Sequence, residues 1–127
     1  MELDLKQKVL LCVYIEYQKN MPKFENVLTP DNLNVSFPEI QIALRKLQNE
    51  QLITEYETRT ADGRVGYSIS RIMITLNGID YVESKLKIEP KETGVVKVGT
   101  VAEHAVSWGW DQIKDIAAKT LAEILKF

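Results

Sequence analysis

The sequence contains very little cysteine and histidine: Cys12 and His104 are the single examples of each. One cysteine cannot form an internal disulfide, and nothing in the composition indicates secretion. A zinc site of ordinary spacing needs several cysteine and histidine ligands close together, and two residues far apart in the chain do not supply them. A glycine-rich phosphate-binding loop is absent as well. We therefore predict no disulfide, no bound metal and no cofactor.

Long apolar segments are also missing. The longest unbroken run, from Val9 to Ile15, falls far short of the roughly 20 residues that a membrane-spanning helix needs. No basic segment leads into an apolar stretch and a cleavage site, as it does in a secretory signal. These absences predict a cytoplasmic protein with no membrane partner.

An excess of positive charge is the third absence. The chain has 16 Lys and Arg against 18 Asp and Glu, a formal net charge of -2. Indiscriminate phosphate binding depends on an excess of basic residues. The composition therefore excludes a non-specific nucleic-acid-binding protein, but it does not exclude a local basic patch. No nucleophile, base and orienting group can be named together, which predicts that the chain is not an enzyme.

Helical periodicity dominates the first part of the chain. Residues 3–19 carry an apolar stripe at helical spacing, and Thr29 with Pro30 provides the cap and first-turn signals of a short second helix. A third helix is predicted over residues 37–49, with Ser36 as its N-cap and Pro38 in its first turn. Its inward face is predicted to consist of Ile40, Ala43, Leu44 and Leu47. Its outward face is predicted to consist of Phe37, Gln41, Arg45 and Gln48, with Ile42 partly outward.

The pattern then changes from helical spacing to alternation. Two extended runs flank Asp62 and Gly63, a dipeptide that accepts positive φ without strain and is a strong β-hairpin signal. Thr75 is the predicted cap of a further helix. The order of elements predicts a mainly α protein with a small antiparallel β-hairpin, an α+β fold, whose first domain covers residues 1–86.

Residues 87–99 are predicted to be a linker, because Pro90 and Gly94 interrupt a polar stretch. Beyond it, Thr100 and Glu103 have the spacing of a capping box, which predicts an amphipathic helix over residues 100–127. Its apolar positions recur at intervals of four and three, the spacing of a helix–helix seam that ends at Phe127. Either the chain's own domain or a second chain could cover this face, and the linker favours a homodimer. The predicted dimerisation residues are Val106, Trp110, Ile113, Ala117, Leu121 and Ile124.

Three helices followed by a β-ribbon resemble the winged helix-turn-helix superfamily. The resemblance rests on VSFPEIQIALRKLQNEQLI for the turn and recognition helix, TRTADGRVGY for the wing and ITLNGIDYVE for the closing helix. It covers residues 3–86. Within the superfamily, the chain resembles the YjcQ-type group of small bacterial and phage-associated proteins, which are similar in length and also end in a helix.

The winged-helix resemblance implies double-stranded DNA as the partner, with the third helix in a major groove and the wing against the backbone or minor groove. The implied contact residues are Ser36, Phe37, Gln41, Arg45, Arg59 and Arg64. We accordingly expect a sequence-specific transcriptional regulator of bacterial or phage type that acts as a homodimer.

A second hypothesis is a winged-helix module that binds another protein and does not bind DNA. Between Ser36 and Thr75, the acidic residues equal the basic residues in number. The basic set is Arg45, Lys46, Arg59, Arg64 and Arg71, and the acidic set is Glu39, Glu50, Glu55, Glu57 and Asp62. Glu39 lies near the helix end that would approach phosphate, and an outward Phe37 and Ile42 suit a protein partner better than a phosphate groove.

Overall fold

The computed structural model describes residues 2–126. The helices in this range are α1 (Leu5–Tyr17), α2 (Phe24–Val27), α3 (Pro30–Leu33), α4 (Phe37–Asn49), α5 (Leu76–Leu86), α6 (Gly94–Glu103), α7 (Ala105–Trp108) and α8 (Gln112–Ile124). The strands are β1 (Ile53–Thr54), β2 (Glu57–Arg59), β3 (Val65–Tyr67) and β4 (Met73–Ile74). The predicted α+β class, mainly helical with a small antiparallel β component, is confirmed.

Helix α1 lies at the centre of the core. It begins with a capping box, in which the Asp4 side chain accepts a hydrogen bond from the Gln7 N–H and the Gln7 side chain accepts one from the Asp4 N–H. Every residue from Val9 to Glu16 is buried, which goes beyond the one-sided apolar stripe that the periodicity predicts. The reason is that α4, α5, α6 and α8 all pack against α1, so this stretch has no solvent-facing side.

Helix α4 forms as the sequence predicts. Ser36 and Glu39 close a capping box at its N-terminus, and Pro38 lies in its first turn. The predicted inward residues Ile40, Ala43, Leu44 and Leu47 are all buried. After the helix, Gln51 adopts a left-handed conformation with φ 63°, at a position where many helices have glycine.

The four strands form two separate antiparallel pairs, β1 with β4 and β2 with β3. In the β2–β3 hairpin, Glu57 lies opposite Tyr67 and Arg59 lies opposite Val65. Gly63 has φ 85° at the turn, which confirms the hairpin that the Asp-Gly dipeptide predicts. All three residues of β3 are exposed, so this hairpin extends away from the core.

A buried polar cluster joins α5 to α1 and α6. Glu83 on α5 accepts a 2.8 Å hydrogen bond from the Tyr14 hydroxyl on α1 and forms a 2.7 Å ion pair with Lys97 on α6. Burial raises the pKa of Tyr14, and the Glu83 carboxylate adds to this effect, so the phenol stays a proton donor. Because a buried carboxylate is costly without such partners, the cluster fixes α6 against the rest of the core.

The helix bounds predicted beyond residue 87 are wrong. Thr93 caps α6 by accepting a hydrogen bond from the Val96 N–H, so this helix begins inside the predicted linker. Thr100, the predicted cap, lies within α6, and its hydroxyl donates to the Val96 carbonyl oxygen. Gly109 has φ 65° and ends α7, since a residue in the left-handed region stops a helix. The single predicted helix is therefore three shorter ones.

The C-terminal helices fold back onto the same chain. Among the predicted dimerisation residues, Trp110, Ile113 and Ala117 are buried, Leu121 and Ile124 are half-buried, and Val106 is exposed. Helix α8 packs mainly on α6 and also on α1 and α3, and the Trp110 indole N–H donates to the Asn32 carbonyl oxygen at 3.3 Å. The face that was expected to pair with a second chain is thus covered from within. Phe127, the end of the predicted seam, lies outside the described residues.

Candidate functional site

The outer side of α4 and the β2–β3 hairpin form one continuous surface, which we call the α4–hairpin surface. Its central connection is the Gln48 side chain, whose amide nitrogen donates to the Glu57 carbonyl oxygen at 3.0 Å and whose amide oxygen accepts from the Glu57 N–H at 2.8 Å. These two bonds satisfy the backbone N–H and carbonyl oxygen of Glu57 in β2. Gln48 therefore holds the hairpin at a fixed distance from α4.

Aromatic side chains make a second connection between α4 and the hairpin. The rings of Tyr56 and Tyr67 lie 5.5 Å apart, and the Arg45 guanidinium lies 5.9 Å from the centre of the Tyr67 ring. Such a cation–π contact orients an arginine without neutralising its charge. Burial raises the pKa of Tyr56, and the nearby Gln41 side chain partly opposes this effect. Arg45 and Gln41 are thus both placed beside the hairpin.

The N-terminal end of α4 is occupied by its own cap. The Ser36 hydroxyl accepts a hydrogen bond from the Glu39 N–H and donates to Glu39 Oε1 at 2.8 Å, while the Ser36 N–H donates to the same oxygen at 3.1 Å. The backbone bond, followed by the hydroxyl bond, lowers the pKa of Glu39. Ser36, predicted as a phosphate contact, is therefore engaged within the helix end. Phe37 is 42% exposed beside it.

The hairpin tip carries an internal network of polar contacts. The Thr60 hydroxyl donates to Asp62, and Arg64 Nε lies 3.2 Å from Asp62 Oδ2. The hydrogen bond from Thr60 is the largest cause of the lowered pKa of Asp62. Both members of the Arg64–Asp62 pair are mostly exposed, so the pair contributes little to stability. It does place the Arg64 charge at the turn.

The charges that cancel by count are separated in space. Glu39 is used in the helix cap, and Asp62 lies against Arg64. Glu50 forms a 2.6 Å ion pair with Lys6. By contrast, none of the exposed side chains of Arg45, Lys46 and Arg59 forms an ion pair with any residue in the range 2–126. These three cations are free to pair with a ligand, although Glu55 and Glu57 also form no ion pair within residues 2–126 and Glu39 keeps its charge in the cap.

An open groove of about 560 Å³ lies between the C-terminal half of α4 and β2. Its lining residues are Ile42, Arg45, Lys46, Gln48, Asn49, Gln51 and Glu57. The lining is therefore mainly polar and includes two cations, Arg45 and Lys46. Ile42 is 51% exposed at its edge.

Helical periodicity predicts the outward position of Arg45, and the hairpin signal predicts the place of Arg59 and Arg64 beside the turn, but neither assigns a role to two further residues. Arg45, Arg59 and Arg64 are exposed, and Gln41 is half-buried against the hairpin. Gln48 is predicted only as an outward residue of the helix, and Tyr67 is not among the predicted site residues. Their roles depend on the approach of the hairpin to α4, for which the sequence contains no local signal.

The described part of the chain holds no cluster of three or more His, Cys, Asp or Glu side chains suited to a metal ion. Between residues 2 and 126, no helix has the length and apolar character needed to cross a bilayer. Comparisons of the chain with protein families, with curated proteins and with solved structures found no match. The proposed function therefore rests on the geometry of the α4–hairpin surface.

Proposed function

We propose that the chain is a winged-helix protein that binds double-stranded DNA in a sequence-specific way, as a small transcriptional regulator. Helix α4 enters the major groove, and the β2–β3 hairpin acts as the wing against the backbone. The observation that supports this most strongly is that Arg45, Lys46 and Arg59 lie on one surface without an ion-pair partner among residues 2–126, while Glu50 and Asp62 are paired with Lys6 and Arg64.

The side chains divide into reading and positioning roles. Arg45 can pair bidentately with guanine, and Gln41 can do so with adenine, because each presents two hydrogen-bonding atoms in a plane. Arg59 and Arg64 on the hairpin suit phosphate oxygens, which fix the register of the protein on the duplex. Gln48 acts indirectly, by holding the hairpin beside α4. Ser36 caps α4, and its predicted phosphate contact stays a prediction.

Homodimerisation remains part of the proposal, because two copies bring two α4 helices to two half-sites. Trp110, Ile113 and Ala117 are buried within the chain, so these three do not join the two copies. Val106 is exposed and Leu121 and Ile124 are half-buried, so these three stay candidates for the interface.

The test is a titration of labelled duplex pools by fluorescence anisotropy at about 50 and 200 mM salt, with selection for enriched sequences. The Arg59→Met variant removes one phosphate contact, so we expect the slope of log K against log salt to fall by about one. The Arg45→Met variant should cost about 1–3 kcal/mol for the selected site and relax the preference at one base pair.

The matched control is Lys114→Met on α8, which removes the same charge from an exposed helix position outside the α4–hairpin surface. It should leave the affinity for the selected site nearly unchanged. The proposal fails if no duplex binds more tightly than the non-specific range of about 10⁻⁴ to 10⁻⁶ M and no sequence is enriched. It also fails if Lys114→Met weakens binding as much as Arg45→Met.

The second candidate function is recognition of a protein by the same surface. The observation in its favour is that Phe37, Ile42 and Tyr67 are all more than two-fifths exposed there, and apolar patches of this kind are typical of protein interfaces. Affinity isolation from a native lysate with the wild type and with Phe37→Asp distinguishes the two. A partner lost only from the variant, combined with no DNA binding, favours this candidate, and identical partner sets contradict it.

A further inference from the structure

A second concave site lies on a different part of the molecule, where α1, α5 and the α6–α7 segment meet. It is a cavity of about 220 Å³. Leu10, Leu11 and Val82 form its buried floor, and the buried Trp108 ring closes one side. A well-packed core leaves few spaces larger than a water molecule, and an apolar space attracts apolar occupants in preference to water. The cavity is therefore suited to a small apolar group.

Three aromatic side chains line this cavity: Tyr81, His104 and Trp108. The His104 and Trp108 rings lie edge to face with their centres 4.9 Å apart, and Tyr81 lines the opposite helix, α5. The Gln7 side chain donates to the Tyr81 hydroxyl at 3.3 Å and also accepts from the Asp4 N–H, so it is already engaged. Aromatic walls favour a planar ring, because offset and edge-to-face contacts add to the burial of apolar area.

The charge at the mouth of the cavity has one sign. Lys85 is the only lysine or arginine among the lining residues, and no carboxylate is among them. Its ammonium lies 5.8 Å from the centre of the Tyr81 ring and forms no ion pair with any residue from 2 to 126. An exposed cation beside an apolar cavity complements a ligand with an apolar body and an anionic end.

We propose that this cavity binds a small aromatic carboxylate, with the ring against Trp108 and Tyr81 and the carboxylate at Lys85. The cavity is smaller than the 300–1,000 Å³ typical of sites for drug-sized ligands, so the ligand has about ten non-hydrogen atoms. It bridges α5 and α7 and thereby ties the C-terminal helices to the core. The cavity shares no residue with the α4–hairpin surface, so ligand binding and DNA binding are tested separately.

The experiment uses the full chain and 3-phenylpropanoate as the probe, with 3-phenylpropanamide as its uncharged isostere. Binding is measured by calorimetry and by ¹H–¹⁵N NMR, where the Trp108 indole N–H reports on the cavity and a Trp108→Phe variant assigns its signal. We expect saturable binding of the acid with a Kd below about 1 mM, a shift of the Trp108 signal and little shift of the Trp110 signal. The amide should bind about two- to fivefold more weakly, because it lacks the charge that the exposed Lys85 pairs with.

Two variants make the test specific. Lys85→Met keeps most of the apolar stem of the side chain and removes the charge, so the acid should bind about two- to fivefold more weakly while the amide changes little. Lys114→Met, on α8 away from the cavity, should bind the acid as the wild type does. Equal affinity for acid and amide, an unchanged affinity in Lys85→Met, or no saturation by about 10 mM acid would each overturn the proposal.

Discussion

Replacement of Gly78 by alanine is a case where intrinsic helix propensity predicts a more stable protein and the contacts in the structure predict a less stable one. Gly78 is the third residue of α5, and its N–H donates to the Thr75 hydroxyl at 3.0 Å. A Cβ added there would lie 2.2 Å from the Leu52 carbonyl oxygen and 2.7 Å from Ile74 Cγ1. The Leu52 oxygen also accepts the Thr75 N–H at 3.1 Å, so it cannot retreat without weakening that bond.

The expected loss of stability follows from three contributions. Alanine is favoured over glycine in a helix interior by about 0.8–1 kcal/mol. Against this, overpacking of a close contact costs about 1–3 kcal/mol, and the strained backbone hydrogen bond between Leu52 and Thr75 adds a loss of about 0.5–1.5 kcal/mol. The Gly78→Ala variant should therefore be less stable than the wild type by about 1–3 kcal/mol.

The chain contains its own control for this prediction. Gly99 lies within α6, and a Cβ added there meets nothing within 4 Å. Gly99→Ala should therefore increase the free energy of unfolding by about 0.5–1 kcal/mol, through propensity and a less flexible unfolded chain. Urea denaturation followed by circular dichroism measures both variants, with equal m-values as the check that the unfolded states are comparable. If Gly78→Ala is as stabilising as Gly99→Ala, the close approach of α5 to the Leu52 carbonyl is refuted.

Three further predictions concern the core, the α4 cap and the single thiol. Ile113→Asp places an unpaired carboxylate at a position with 0% exposure. It should lower the free energy of unfolding by more than about 3 kcal/mol, so thermal denaturation should find the variant largely unfolded. The control, Lys119→Glu on the exposed side of α8, should change stability by no more than about 0.5 kcal/mol. A folded, wild-type-like Ile113→Asp protein would contradict the buried position of α8. The folded-state pKa of Glu39 is lowered, so its carboxylate contributes to folding stability above the ordinary glutamate pKa, and this contribution is lost as the pH falls through the folded-state pKa. The melting temperature of the wild type should therefore exceed that of Glu39→Gln at pH 7, and the difference should vanish in strong acid. Burial raises the pKa of the Cys12 thiol, so a thiol reagent such as Ellman's should leave the native protein unmodified and label one thiol per chain in denaturant; rapid native labelling would show that α1 is accessible.

Part of the candidate site could be predicted from the sequence because its signals are local. The outward position of Arg45 follows from helical periodicity, and the place of Arg59 beside the turn follows from the Asp-Gly signal, both of which depend only on neighbouring residues. The availability of these cations to a ligand cannot be predicted in this way, because it depends on which basic residues the nearby acidic residues pair with. Glu50 pairs with Lys6, which is distant in the chain, and a count of charges along the sequence contains no information on that pairing. Gln48 likewise gained its role only when the hairpin came within hydrogen-bonding distance of α4.

The sequence by itself determined the features whose causes lie within a few residues. The cap at Ser36, the buried side of α4, the hairpin turn at Gly63 and the start of α5 at Thr75 all formed as predicted, because caps, turns and periodicity are local interactions.

Only the tertiary structure decided what covers the apolar face of the C-terminal segment. Periodicity indicates that Ile113 and Ala117 must be buried, but it does not rank the surfaces that could bury them. Helix α8, which carries both residues, packs on α6, α1 and α3 of the same chain, and the Trp110 bond to Asn32 assists this packing. A second chain would satisfy the same spacing. Burial of apolar area is non-directional, so the choice between partners rests on shape and connectivity, which exist only in the folded molecule.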